Sequence, residues 1–187
     1  GFQITYGIGG LHGALKNYKG NDLMYLDVKS LYPNLMAGYH LLSRAVPDPT
    51  VYEHWLSERL RLKQMGNPLA DELKFKLNRV YGLMKAKWCA LYDPYMASSV
   101  SVLGQIVMTI LITGLQKEGC KIVNANTDGL IIEPHGSWTS IWDKWEQMLN
   151  LKLERKHIKE LEQADVNNYR ALYSDGTEVL KGAKYKE

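Results

Sequence analysis

Apolar positions along the chain change spacing in a way that predicts strands alternating with helices. Leu23, Met24, Tyr25, Leu26 and Val28 form a short apolar run, as expected of a strand covered on both faces. A short strand over 2–5 precedes it, followed by a glycine-rich loop from Tyr6 to Gly13. After Ser30, Tyr32 and Pro33 turn the chain, residues 35–42 read as helical. Pro47, Asp48 and Pro49 then break the pattern. Thr50 stands as the N-cap of a helix over 51–63, where Val51, Trp55, Leu56, Leu60 and Leu62 recur at helical spacing. Gly66, Asn67 and Pro68 end that helix, and a second one over 69–84 completes a helical hairpin. Residues 97–115 predict a long helix, hydrophobic nearly all round and therefore buried. Lys121 to Ile132 reads as strand, turn, strand, with Asn126 to Gly129 supplying the turn. Trp138 to Leu149 is an amphipathic helix whose tryptophans are core, 151–158 is a strand, and 167–173 with 179–183 form a hairpin. This order predicts an α+β fold with a small helical insertion.

Composition sets bounds on that fold. A chain of 187 residues can hold one domain with a real core and a helical subdomain. The net charge of +3 is too mild to identify a polyanionic partner. Its distribution says more: Lys152, Arg155, Lys156, Lys159, Arg170, Lys181, Lys184 and Lys186 form a basic excess suited to a phosphate backbone, diluted by Glu154, Glu160 and Glu162. Cys89 and Cys120 have no metal-ligand spacing and form no disulfide framework, so reduced thiols in a cytoplasmic protein are expected. By this reading no apolar run reaches transmembrane length, no signal peptide is present, and no membrane partner is expected. Gly1 is not a natural start, so the sequence reads as a segment of a longer chain.

Two lone acids stand out. Asp27 ends an apolar strand, where a charge is costly unless paired or bound to metal. The alternative there is a cap for the following helix. Asp128 sits on the predicted hairpin turn. Strand-end carboxylates that converge in a sheet bind magnesium, which takes oxygen ligands, and two such ions about 3.5–4 Å apart form a clamp for nucleotidyl transfer. On the helical hairpin, Arg59 and Lys63 share one face, as do Lys74 and Asn78. Arg61 competes with Arg59, and plain surface charge is the alternative for all of them. Antiparallel packing would allow Arg59, Lys63 and Lys74 to meet one triphosphate and stabilise its developing charge.

These stretches resemble the motifs of family B DNA polymerases. Asp27-Val28-Lys29-Ser30-Leu31-Tyr32-Pro33-Asn34 is similar to motif A (D-x-x-S-L-Y-P-S). Lys74-Phe75-Lys76-Leu77-Asn78-Arg79-Val80-Tyr81-Gly82 is similar to motif B (K-x-x-x-N-S-x-Y-G), and Asn126-Thr127-Asp128-Gly129 to motif C (D-T-D-S). All three occur in the family's order, in variants most like those of bacteriophages. Gly104 and Gln105 resemble the family's G-Q helix pair.

The resemblance implies an antiparallel-sheet palm in 1–46 and 91–187, interrupted by helical-hairpin fingers in 47–90. It implies template-directed DNA synthesis in a bacterial host's cytoplasm, from dNTP onto the primer 3′-hydroxyl of primer–template DNA. Two magnesium ions, with manganese as a substitute, would be held by Asp27, Asp128 and the Val28 carbonyl. Lys74, a catalytic cation in this reading, would meet the nucleotide together with Arg59, Lys63 and Asn78. Tyr32 would exclude a ribose 2′-hydroxyl, and Tyr81 would stack on the nascent pair. Tyr6, Gly9 and Gly10 resemble a template-contacting Y-x-G-G segment. Gly82 would also touch DNA. Lys181, Lys184 and Tyr185 resemble the primer-contacting K-x-Y region, with Lys181-Gly182 as the competing match. Thumb and exonuclease domains, or other replication proteins, would complete the machine. The chain departs from the family pattern at Arg79, where motif B carries serine, and at Asn126, where motif C carries an acid. Glu133, five residues beyond Asp128, is expected to face the other way. The rival reading is a non-catalytic nucleic-acid-binding or structural module of a replication complex with a degenerate site.

Overall fold

A computed structural model describes residues 2–185, Lys184 without its side chain, so the role expected of that side chain lies outside the described residues. Strands β1 (Thr5–Gly7), β2 (Gly10–Ala14) and β3 (Tyr18–Val28) lead into helices α1 (Leu31–Gly38), α2 (Thr50–Gln64), α3 (Leu69–Met84) and α4 (Pro94–Lys117). Strands β4 (Lys121–Ala125) and β5 (Gly129–Glu133), helix α5 (Trp138–Leu149), and strands β6 (Leu153–Asp165), β7 (Asn168–Tyr173) and β8 (Glu178–Lys181) follow, with a short 3-10 turn at Ala183–Tyr185. All neighbouring strands pair antiparallel in one sheet of order β1-β2-β4-β5-β3-β6-β7-β8. The expected α+β class, an antiparallel sheet flanked by helices, is the observed one.

Residue contacts divide the chain into two compact units, Gly1–Lys29 with Gln105–Glu187, and Ser30–Gly104. The first contains the whole sheet, α5 and the C-terminal part of α4. Its β3 lies between β5 and β6, and residues 23–26 of it are apolar on both faces. Leu23 packs with Val123, Ile131, Ile158, Leu161 and Ala171 on one face, while Leu26, Ile122, Leu130 and Ile132 are also buried. Each such side chain contributes about 1.5–3 kcal/mol relative to exposure. A buried polar pair interrupts this core, and its hydrogen bonds offset the desolvation. Asn124 Nδ2 donates to Gln163 Oε1 at 2.6 Å, and Gln163 Nε2 donates to the Leu15 carbonyl at 2.7 Å. The second unit packs Met36, Leu56, Leu77, Met84 and Val100 together. Asp93, buried before α4, accepts from Arg44 Nε at 2.9 Å and Nη2 at 3.0 Å and caps the helix through Met96 N–H at 3.3 Å.

Several sequence expectations are corrected. The glycines at 7 and 10 lie within a tight β1–β2 hairpin, paired with each other, and not in a loop after a strand over 2–5. The helix after Ser30 starts at once, at Leu31, because Pro33 suits a first turn. Thr50 is inside α2; Asp48 does the capping, accepting from Thr50 N–H at 3.0 Å and its hydroxyl at 2.6 Å. β6 runs to Asp165, well past the expected end, because β3 and β7 pair along its whole length. Helix α4 is not buried all round: Val102, Ile106 and Ile110 form an exposed stripe. It is also long and apolar enough to cross a membrane by length and composition alone, contrary to the expectation that no run qualifies. Its other side is fixed in the fold, where Val107, Met108, Leu111 and Leu115 are buried and Trp145 Nε1 donates to the Val107 carbonyl at 2.8 Å. The basic excess after Leu151 is partly neutralised: Lys152 pairs with Glu146, and Arg170 with Glu160 and Glu178.

Candidate active site

Asp27 lies where β3 leaves the sheet. It stands opposite Gly129 on β5 and Glu154 on β6. One residue on, Val28 N–H donates to the Asp128 carbonyl at 2.7 Å. The β3–β5 ladder therefore joins the strand end bearing Asp27 to the turn bearing Asp128. In a strand a residue's N–H and C=O point to the same side, so the Val28 carbonyl is directed toward that hairpin as well. Glu154 is engaged by Lys29 at 3.5 Å.

The Asp27 and Asp128 carboxylates and the Val28 carbonyl would offer oxygen donors, the chemistry a hard cation such as magnesium prefers. Among the described residues no group of three or more His, Cys, Asp or Glu side chains forms a metal cluster. The fit to a metal rests on the oxygen set alone.

Tyr25 was missed by the sequence reading. Two residues before Asp27, it shares that residue's face of the strand, and its hydroxyl donates to Asp27 Oδ1 at 3.0 Å. Burial, then the negative charges of Asp27 and Asp128, push its phenol far above the usual range, so it remains a donor. The ring also explains Gly129, which stands where motif C carries serine. A Cβ there would lie 2.9 Å from the Tyr25 hydroxyl oxygen. Asn126 has a turn-forming role: its Oδ1 accepts from Thr127 N–H at 2.9 Å, and its own N–H donates to the Gly129 carbonyl at 2.8 Å. Glu133 is held by Lys121 at 2.8 Å and by the Tyr18 hydroxyl.

The glycine hairpin lies against this turn. Gly10 has φ 133°, and a Cβ on it would come within 2.5 Å of Thr127 Oγ1. Thr127 Oγ1 donates to the Gly9 carbonyl at 3.3 Å, and Gln105 Nε2 donates to the Gly7 carbonyl at 2.6 Å. Tyr6, from the same hairpin, bonds Thr109 through its hydroxyl at 3.0 Å. Lys181 lies on the edge strand β8, three strands from β3, with its ammonium 5.5 Å from the Tyr169 ring. Tyr185 follows in the 3-10 turn.

The second unit carries the other predicted residues. Arg59 is only 6% exposed. Its Nη1 donates to the Ser30 hydroxyl, while its Nε has no hydrogen-bond partner among the described residues. A buried guanidinium with an open donor is a fit for an anion. Lys63 and Lys74, grouped with Arg59 by the sequence reading, are exposed on α2 and α3. Arg61, the competing residue, is exposed and pairs with Glu58 at 2.6 Å. Tyr32 meets Tyr81 edge-on with ring centroids 4.8 Å apart. Its ring also lies 2.8 Å from where a Cβ on Gly104 would stand, so a side chain there would require the ring to shift. Asn78 and Gly82 are exposed on α3, in line with Lys74.

An antiparallel sheet with acids at adjoining strand ends, and a helical unit with a buried arginine, define a polymerase-like class of fold. The solved structure of the family B DNA polymerase from the hyperthermophilic archaeon Pyrobaculum calidifontis matches 97% of this chain with a TM-score of 0.68 and 17% identity. DNA polymerase 1 of Saccharolobus solfataricus is 29% identical over 119 residues, and DNA polymerase II of Escherichia coli is 25% identical over 139 residues. These alignments cover 62% and 60% of this chain. The chain thus has a family B DNA polymerase-like fold over most of its length. It spans 29% of that solved chain, and 14% and 18% of the two curated relatives. No family model matches the chain.

Proposed function

We propose that this chain is the palm and fingers of a family B DNA polymerase, with the palm in 1–46 and 91–187 and the fingers in 47–90. The observation that carries the proposal is the β3–β5 ladder, which joins Asp27, Val28 and Asp128. In the proposed reaction the primer 3′-hydroxyl attacks the α-phosphate of a dNTP, the new phosphodiester forms, and pyrophosphate leaves. Magnesium held by Asp27, Asp128 and the Val28 carbonyl would supply a lowered hydroxyl pKa and charge neutralisation. Tyr25 fixes the orientation of the Asp27 carboxylate. Arg59 and Lys74, with Lys63 and Asn78, bind the triphosphate and offset the charge on the leaving pyrophosphate. Tyr32, pinned by Tyr81, closes the space a 2′-hydroxyl would need. The glycine hairpin and the Lys181–Tyr185 segment contact template and primer. Exonuclease and thumb functions belong to partner domains.

Primer extension with magnesium and four dNTPs tests this reading. Extension by the parent and none by Asp128→Asn is the expected result. A folded parent that binds primer–template but never extends it, with or without the missing domains, would establish the non-catalytic module instead.

A further inference from the structure

Between Glu72 and Asp93 the chain carries Lys74, Lys76, Arg79, Lys85 and Lys87 and no acid, and all five cations are exposed. Two aromatic rings interleave them in full contact with solvent: Phe75 is 68% exposed and Trp88 81%. Side chains of this size are ordinarily among the most buried. On α3, Phe75, Arg79 and Gly82 follow one outer stripe, opposite the buried Leu77 and Met84. Among the described residues nothing lies within 4 Å of the position a Cβ on Gly82 would take, so the stripe is open there. Trp88 follows in a turn held by Lys85 N–H to the Gly82 carbonyl at 3.1 Å and Cys89 N–H to the Ala86 carbonyl at 3.0 Å. The backbone is tied down while the ring projects outward.

We infer that this strip, Phe75–Arg79–Lys85–Lys87–Trp88, binds an unpaired nucleic-acid strand. Cations without neighbouring acids track a phosphate backbone, and exposed rings offer the flat faces on which unstacked bases rest. Duplex DNA satisfies the cations alone, because its base faces are already stacked. An acidic peptide likewise satisfies the charges and leaves the rings unused. Arg79 adds a planar cation to the strip at the position where motif B carries serine. The inference deepens the polymerase reading, on which it rests only in taking the strand to be the template beyond the primer end.

The test is equilibrium binding of fluorescein-labelled dT20 and of a blunt 20-base-pair duplex, without metal or nucleotide. Parent, Trp88→Ala, Trp88→Phe and Arg79→Ser are compared as full chains. Trp88→Ala should weaken dT20 binding by about tenfold, one lost stacking contact, and change duplex binding by less than about twofold. Trp88→Phe should retain most of the affinity, because a ring remains. Arg79→Ser should weaken dT20 binding and flatten its salt dependence. Equal dT20 affinity for parent and Trp88→Ala, or equal losses on dT20 and duplex, would overturn the inference. So would a melting midpoint of Trp88→Ala well below that of the parent together with unchanged affinity of the folded fraction. Asp128→Asn separates the two readings: it should lose extension yet bind dT20 like the parent. A parent that never extends primers but binds dT20 through Trp88 would defeat the polymerase reading and leave the strand site standing.

Discussion

Arg59 makes an unusual demand on the second unit. It is buried, its one hydrogen bond among the described residues goes to Ser30, and its Nε has no partner among them. Replacing it with methionine keeps the length and removes the charge. An unsatisfied buried donor costs about 1–3 kcal/mol, and the Ser30 bond returns about 1 kcal/mol. The desolvated charge adds to the cost, and apolar replacements of buried ionic groups are often stabilising for this reason. Arg59→Met should therefore stabilise the protein without ligand by about 1–2 kcal/mol, a rise of about 2–8 °C in melting temperature for a chain of this size. The response to nucleotide should move the other way. Parent melting should rise with dNTP and magnesium by mass action. Losing one charge-assisted contact of about 1.5–3 kcal/mol should raise the half-saturating nucleotide concentration about 10–150-fold. Thermal melts across a dNTP series, on parent and variant, read both effects. Arg61→Met is the comparator and should leave the nucleotide response unchanged, because Arg61 is engaged with Glu58 at the surface. If Arg59→Met melts below the parent and responds equally to nucleotide, Arg59 is a structural residue and its triphosphate role is refuted.

Asp27→Asn and Asp128→Asn should each abolish primer extension, whereas Asn126→Asp should extend normally, because a carboxylate can also accept the Thr127 N–H that Asn126 receives; a time course with all three variants decides this. Tyr25→Phe should lower the extension rate and raise the magnesium concentration needed for half-maximal rate, since Asp27 loses its hydroxyl donor; an unchanged magnesium curve would remove Tyr25 from the site. The hydrogen bonds from Arg44 hold the Asp93 carboxyl well below the usual carboxylate range. Its stabilising contribution is thus complete above the unfolded pKa of about 3.9 and is lost as pH falls toward the lower folded value. Asp93→Asn should accordingly melt earlier at pH 7 and lose less stability than the parent below about pH 4, as followed by circular dichroism.

Much of this architecture was legible in the residues. α3 and α5 begin and end where the apolar spacing and the Gly66-Asn67-Pro68 break placed them, because periodicity and turn chemistry are local properties. Asp27 and Asp128 could be singled out because a charge beside a buried strand, or alone on a turn, is costly without a purpose. The three motifs carried the resemblance that assigned the remaining roles.

Other features depend on which strands become neighbours, and no local pattern encodes that. Only the β3–β5 pairing, which sets Tyr25 opposite Ile131 and Asp27 opposite Gly129, brings the Tyr25 ring diagonally over Gly129, where a side chain would force it to shift. Only the approach of the β1–β2 hairpin to Thr127 shows why Gly10 has no side chain. Lys63 and Arg59 look equivalent as an i, i+4 pair, yet packing buries one and exposes the other. The sequence by itself determined the elements and the acids, since backbone propensity and charge desolvation act within a few residues. The tertiary structure decided which donors face which acceptors, since hydrogen bonds and close contacts are made across distances the chain must fold to close.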